Sequence, residues 1–118
     1  MSYVVIIRGP LGIGKSTIAK KLAEILKAAY FSVDEILDKN GLDEVNEQLG
    51  CISEANFLKV NQIVLPQLKS ILAKNTSIII DGNFYHQNQL TNLLDNLPGK
   101  HFVFTLTASL DTCIQRDS

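Results

Sequence analysis

Gly9-Pro10-Leu11-Gly12-Ile13-Gly14-Lys15-Ser16 is the stretch on which the fold turns. Its spacing is G-x-x-x-x-G-K-S, with Thr17 next. Its position in the chain matters as much as its letters. Before it runs Tyr3-Val4-Val5-Ile6-Ile7, a β-branched apolar run that suits a strand buried on both faces of a parallel sheet. After it, from Ser16 to Lys27, Ile18, Leu22, Ala23, Ile25 and Leu26 recur at helical spacing while Lys20, Lys21, Glu24 and Lys27 face away. Strand, glycine-rich turn and helix in that order make an anion cradle. The glycines let backbone N–H groups turn inward, and the helix N-terminus adds partial positive charge. Gly9, Pro10, Leu11, Gly12, Ile13, Gly14, Lys15, Ser16 and Thr17 are therefore expected to bind a nucleotide. Lys15 would reach the β- and γ-phosphates as a point charge, and the Ser16 hydroxyl would sit on Mg²⁺.

Outward from this motif, strands and helices alternate. Ala29-Tyr30-Phe31-Ser32-Val33 reads as a second strand, ending at Asp34. The polar segment from Glu35 to Gly50, with a turn at Asn40-Gly41, predicts short helical pieces. Ser53 is a suitable N-cap for a long helix to about Lys74, which Pro66 should kink by removing a donor. Thr76-Ser77-Ile78-Ile79-Ile80 is a third buried strand closed by Asp81-Gly82. Gln87 to Leu97 reads as a helix stopped by Pro98-Gly99, His101 to Thr107 as a fourth strand, and Leu110 onward as the start of another helix. This pattern predicts an α/β fold with a mainly parallel sheet.

Composition excludes several classes. With 118 residues there is room for one domain. A net charge of -1 gives no electrostatic footprint for duplex DNA or an anionic membrane. The apolar run around Ile78-Ile79-Ile80 is too short to span a bilayer, and nothing near Met1 reads as a signal peptide. Cys51 and Cys113 are too few for a disulfide framework and too isolated for a metal knuckle. A soluble, cytoplasmic protein is expected. The chain holds nine lysines but two arginines, Arg8 and Arg116.

A phosphate cradle alone does not separate kinases from GTPases and mechanical ATPases. No N-K-x-D guanine-reading motif exists here, and Asp38-Lys39-Asn40-Gly41 matches D-x-x-G without the strand that motif requires. Ring-forming and transporter ATPases need far more chain. A small phosphotransferase survives. Two aspartates at strand ends support it, because ligands of open parallel sheets bind beyond the carboxyl ends of the strands. Asp81 suits the carboxylate that holds Mg²⁺ directly or through water, or else a simple Asp-Gly turn. Asp34 could accept the proton of an acceptor hydroxyl, or cap the Glu35–Lys39 helix, or both.

The residues Gly9 to Thr17, Tyr30 to Asp34, Ile78 to Phe84 and Leu106 to Asp117 together resemble the P-loop kinases of the nucleoside-monophosphate kinase fold. Within these the chain is most similar to the branch of polynucleotide kinase, chloramphenicol phosphotransferase, gluconate kinase and zeta-toxin-like enzymes. The resemblance implies a three-layer α/β/α domain over 1–118 with sheet order 2-3-1-4-5, and transfer of the ATP γ-phosphate to a hydroxyl or phosphate. It implies that Asp34 occupies the substrate-side acid position and that Arg116 opens a lid over ATP. Such kinases continue with an arginine-bearing lid, a fifth strand and a final helix, so a C-terminally incomplete core is expected.

Nucleoside-monophosphate kinases grip the acceptor phosphate with arginines in the region corresponding to Glu35–Asn75, and none lies there. Lysine substitutes only as a point charge. The expected function is therefore ATP- and Mg-dependent phosphorylation of a small-molecule or nucleic-acid-end hydroxyl. The alternatives are a nucleoside-monophosphate kinase and a nucleotide-binding module without turnover. Lys15, Asp34 and Arg116 are the expected catalytic residues, Ser16 and Asp81 the metal residues, and Asp34 and Asn83 the acceptor contacts. His86 is expected to be a solvated loop histidine and His101 a structural one. An unpaired edge on the fourth strand would favour a homodimer.

Overall fold

The computed structural model describes residues 2–9, 15–42, 45–46, 51–52, 54–84 and 86–105. In chain order its elements are β1 (Tyr3–Arg8), α1 (Lys15–Leu26), β2 (Ala29–Ser32), α2 (Val33–Lys39), β3 (Val45–Asn46), β4 (Cys51–Ile52), α3 (Glu54–Ala73), β5 (Ile78–Gly82), α4 (Gln87–Asp95) and β6 (Lys100–Thr105). Four strands form one sheet in the order β2-β5-β1-β6. Every pairing in it is parallel. Counting the four long strands alone, this is the 2-3-1-4 order that the resemblance implies.

The two central strands are the two most apolar runs. Val4 to Ile7 are at most 3% exposed, and all five residues of β5 are buried. Strand alternation sends their side chains to two layers. Val4, Ile6, Ile78 and Ile80 pack with Val33, Leu37, Phe57, Val60, Val64, Leu68, Leu90 and Leu93 from α2, α3 and α4. Val5, Ile7 and Ile79 pack under α1 with Ala19 and Ala23. The result is a three-layer α/β/α arrangement with the sheet in the middle.

Several boundaries differ from the sequence reading for local reasons. The α1 stripe against the sheet is Ala19 and Ala23, whose small side chains let helix and sheet approach closely. Ile18 and Ile25, assigned to the buried face by spacing, are 45% and 74% exposed. Helix α2 begins at Val33 because Ser32, not Asp34, is its N-cap: the Ser32 hydroxyl accepts from Glu35 N at 3.3 Å. Beyond Gly41, which holds φ +65°, the expected helical pieces are replaced in the described residues by a short antiparallel pair, Val45 opposite Ile52 and Asn46 opposite Cys51. Helix α3 continues through Pro66, an exposed position, to Ala73. Strand β6 leaves Phe102, Val103 and Phe104 exposed and is paired only with β1 among the described residues.

Candidate nucleotide and acceptor site

Register brings the charged residues to one level at the carboxyl end of the sheet. Asp81 on β5 lies opposite Ile7 on β1 and opposite Ser32 on β2. Two residues after Ile79, it faces the α1 side, where that helix opens at Lys15. Asp81 is fully buried and Lys15 is 4% exposed. Lys15 Nζ stands 3.7 Å from Asp81 Oδ1. The Tyr30 hydroxyl donates to Asp81 Oδ2. Asp81 Oδ1 is buried and has no hydrogen-bond partner among the described residues. An anionic oxygen in that state accepts a ligand readily.

Asp34, at the second position of α2, joins the same field. Burial pushes its carboxyl up from the ordinary value, the Lys15 charge pulls it back, and the Asp81 charge raises it further. The Tyr30 phenol is pushed up to about 12 by burial, by its hydrogen bond to Asp81 and by the Asp81 charge. The neighbouring Ser16 and Ser32 hydroxyls pull it the other way. Lys20 Nζ lies 5.8 Å from the centre of the Tyr30 ring. Ser16 and Thr17 are exposed in the first turn of α1, open to a ligand.

The loop after β5 is tightly held. A Cβ on Gly82 would come within 2.8 Å of Val33 Cγ2 and 2.9 Å of Phe84 Cε2. Phe84 is buried with φ +48°, and Arg8 donates to its carbonyl. Burial lowers the Arg8 pKa from its ordinary value. This arginine therefore fastens a turn. Asn83 is half-buried, and its Oδ1 has no hydrogen-bond partner among the described residues.

The structure thus gathers Lys15, Ser16, Asp34 and Asp81, with Gly9 just beyond β1 and Asn83 just beyond β5. Pro10, Leu11, Gly12, Ile13, Gly14 and Arg116 lie outside the described residues, as does Cys113. His86 overturns its expectation: it is 6% exposed, with its ring centre 5.5 Å from that of Phe57. It precedes α4 and is covered by α3, which the sequence did not reveal as its neighbour. His101 Nε2 meets the Leu97 carbonyl oxygen at 3.0 Å, a structural contact. Sequence reasoning passed over Tyr30. The signal was its place two residues before Ser32, hence on the Ser32 face of a strand that pairs with β5. No cluster of three or more His, Cys, Asp or Glu among the described residues could hold a metal. No described helix is long and apolar enough to cross a membrane.

Known proteins share this fold. The family described as AAA domain matches residues 4–118. Shikimate kinase of Francisella tularensis subsp. novicida is 33% identical over 72 residues, which is 61% of this chain and 39% of that protein. Shikimate kinase of Legionella pneumophila is 29% identical over 76 residues, covering 61% and 43%. Among solved structures, a candidate kinase from Chloroflexus aurantiacus superposes with a TM-score of 0.66 at 20% identity, over 92% of this chain and 60% of that one. Shikimate kinase from Acinetobacter baumannii in complex with shikimate gives 0.58 at 25% identity, over 98% and 62%. The chain spans less than half the length of those curated relatives.

Proposed function

This chain belongs to the AAA-domain family, in the company of P-loop kinases, and from that premise we propose that it transfers the γ-phosphate of ATP to an acceptor hydroxyl. The observation that carries the reading is the buried meeting of Lys15 with Asp81 at the head of α1, with Asp34 in the same field. Lys15 is the cation that moves from Asp81 to the β- and γ-phosphates when nucleotide enters. Backbone N–H groups of the Gly9–Thr17 segment complete the grip.

The donor set fits magnesium. Mg²⁺ is commonly held by one or two protein oxygens plus phosphates, and Asp81 Oδ1 is an orphaned buried carboxylate oxygen beside the Ser16 end of α1. Ser16 and Asp81 are the residues that would hold the ion. When bound it neutralises phosphate charge.

Asp34 acts on the acceptor. Its carboxylate accepts the hydroxyl proton as that oxygen bonds to the γ-phosphorus, and the bond from the γ-phosphorus to the β,γ-bridging oxygen breaks to release ADP. A carboxyl whose pKa is raised is the stronger base for this step. Asn83 accepts a hydrogen bond from the same acceptor, a role supported by an Oδ1 that has no hydrogen-bond partner among the described residues. Most of the rate comes from positioning and charge.

The relatives named shikimate kinase point to small hydroxylated acids as acceptors. This chain has no arginine between Arg8 and Arg116 to grip a carboxylate or phosphate in bidentate fashion. The acceptor is therefore a hydroxyl compound held by polar rather than guanidinium contacts, and the setting is the ATP-containing cytoplasm. Calorimetric titration of Mg·ATP into wild type and Lys15→Ala tests the nucleotide site, where micromolar binding lost in the variant is expected. Screening hydroxyl acceptors, shikimate among them, for ADP release beside Asp34→Asn tests the transfer. A folded wild type that binds no nucleotide overturns the reading.

A further inference from the structure

The sequence gives Tyr30 no chemical role, yet its hydroxyl reaches the buried carboxylate of the site. It donates to Asp81 Oδ2. Ser32, two residues on and on the same strand face, is occupied in capping α2, its hydroxyl accepting from Glu35 N. The Tyr30 hydroxyl thus joins β2 to β5 at the level where Ser32 lies opposite Asp81.

This arrangement treats the two Asp81 oxygens differently. Oδ2 is taken by Tyr30, while Oδ1 has no hydrogen-bond partner among the described residues and faces Lys15 at 3.7 Å. A carboxylate pinned through one oxygen offers the other in a fixed direction. We propose that Tyr30 is a positioning residue for the cation site: its hydroxyl locks Asp81 so that Oδ1 is presented toward the head of α1, where magnesium arriving with the nucleotide would meet a carboxylate oxygen already in place. The inference rests on the kinase reading, since the ion comes with the phosphates. Partners that orient a metal-binding group are typically worth roughly 10–100-fold in metal affinity.

The test is calorimetric titration of ADP into the full chain, with and without Mg²⁺, for wild type, Tyr30→Phe, Asp81→Asn and the double variant. Phenylalanine keeps the ring and removes the hydroxyl. The wild type is expected to bind ADP more tightly with Mg²⁺ than without. Tyr30→Phe should cut that gain about tenfold while metal-free ADP affinity stays within about twofold. In the Asp81→Asn background the Tyr30 change should do nothing further. An unchanged or larger magnesium gain in Tyr30→Phe overturns the inference, and so does an equal loss with and without the ion, which marks a merely structural role. A wild type that binds ADP with no magnesium gain overturns the inference but leaves the nucleotide site standing. One that binds no ADP overturns both.

A second measurement covers the case in which Tyr30→Phe does not fold. The chain has no tryptophan and three tyrosines, so Tyr3→Phe/Tyr85→Phe leaves Tyr30 as the sole tyrosine emitter. Adding Mg²⁺ to its ADP complex should shift the Tyr30 emission. Emission unaltered by the ion overturns the inference.

Discussion

Lys15 and Asp81 stand 3.7 Å apart with side chains 3% and 0% exposed. Two opposite charges so deeply withdrawn from water are costly to bury, and the pair is useful chiefly because something else can take Lys15's place at Asp81 or Asp81's place at Lys15. Removing one partner strands the other. Lys15→Met should therefore abolish nucleotide binding and also lower stability by about 3 kcal/mol, the low end for a broken buried pair because Tyr30 still serves Oδ2. Urea unfolding checks this: the midpoint should fall with an unchanged slope, and Lys15→Met/Asp81→Asn should recover much of the loss.

Asp34 sets stability against activity. Its folded pKa is raised by burial, so the folded state holds the proton more tightly than the unfolded one. The sign follows. Its stabilising contribution is full below the unfolded value of about 3.9 and is lost as pH rises through the higher folded value. At pH 7 the ionised carboxylate is therefore a net burden, and Asp34→Asn should raise the thermal midpoint there. The same change should lower kcat by roughly 10²–10⁴ if Asp34 is the base. In the wild type, kcat/KM should climb with pH along an acid limb displaced upward from the ordinary aspartate value. Calorimetric melts at pH 4 and 7, with a pH–rate profile, measure both sides. A variant with unchanged turnover would remove Asp34 from the chemistry.

Gly82 shows how tightly the turn after Asp81 is built. A methyl there meets Val33 Cγ2 at 2.8 Å and Phe84 Cε2 at 2.9 Å, and both residues are buried. Neither can retreat into solvent. Gly82→Ala should cost about 1–3 kcal/mol as overpacking, lowering the thermal midpoint by roughly 4 °C per kcal/mol in a domain of this size. Because Val33 opens α2 one residue before Asp34, the substitution should also weaken acceptor turnover more than nucleotide binding. Melting curves and separate ADP and acceptor titrations distinguish the two effects.

Much of the fold was legible because it rests on local signals. The runs Tyr3 to Ile7 and Ile78 to Ile80 are apolar throughout, as central parallel strands must be, and the glycine-rich turn marks where β1 meets α1. Asp81 was legible as a strand-end carboxylate, whereas Asp34, read as the end of the second strand, lies one residue into α2 because β2 stops at Ser32. What stayed hidden depends on partners distant in sequence. His86 is buried because α3 covers it, which its loop neighbours do not announce. Tyr30 acquires its role only once β2 pairs with β5 and brings Ser32 opposite Asp81. Ile18 and Ile25 have the helical spacing of core residues, but the alanines beside them decide which face approaches the sheet. Arg8, one of two arginines and given no role by the sequence, fastens the Phe84 carbonyl, a contact between residues 76 apart in sequence.

Gln89 is the least explained buried group on the α3–α4 side, and it supplies a test of the packing there. It is fully buried, its backbone carbonyl accepts from Asn61 Nδ2 at 2.8 Å, and its side-chain Nε2 and Oε1 have no hydrogen-bond partner among the described residues. Asn61 in turn donates to Asn92 Oδ1 at 3.1 Å, so the neighbouring amides satisfy one another and leave Gln89 out. Burying a side-chain amide without partners costs about 1–3 kcal/mol. Leucine, similar in size, presents no polar atoms. Gln89→Leu should leave the backbone contact to Asn61 intact and raise stability by about 1 kcal/mol, read as a higher urea midpoint at constant slope. Gln89→Ala is the control: it removes the same amide but opens a cavity, and should lower stability. If Gln89→Leu instead destabilises as much as Gln89→Ala, the amide is engaged by a buried water or a ligand, and its place between α3 and α4 becomes a binding position to map.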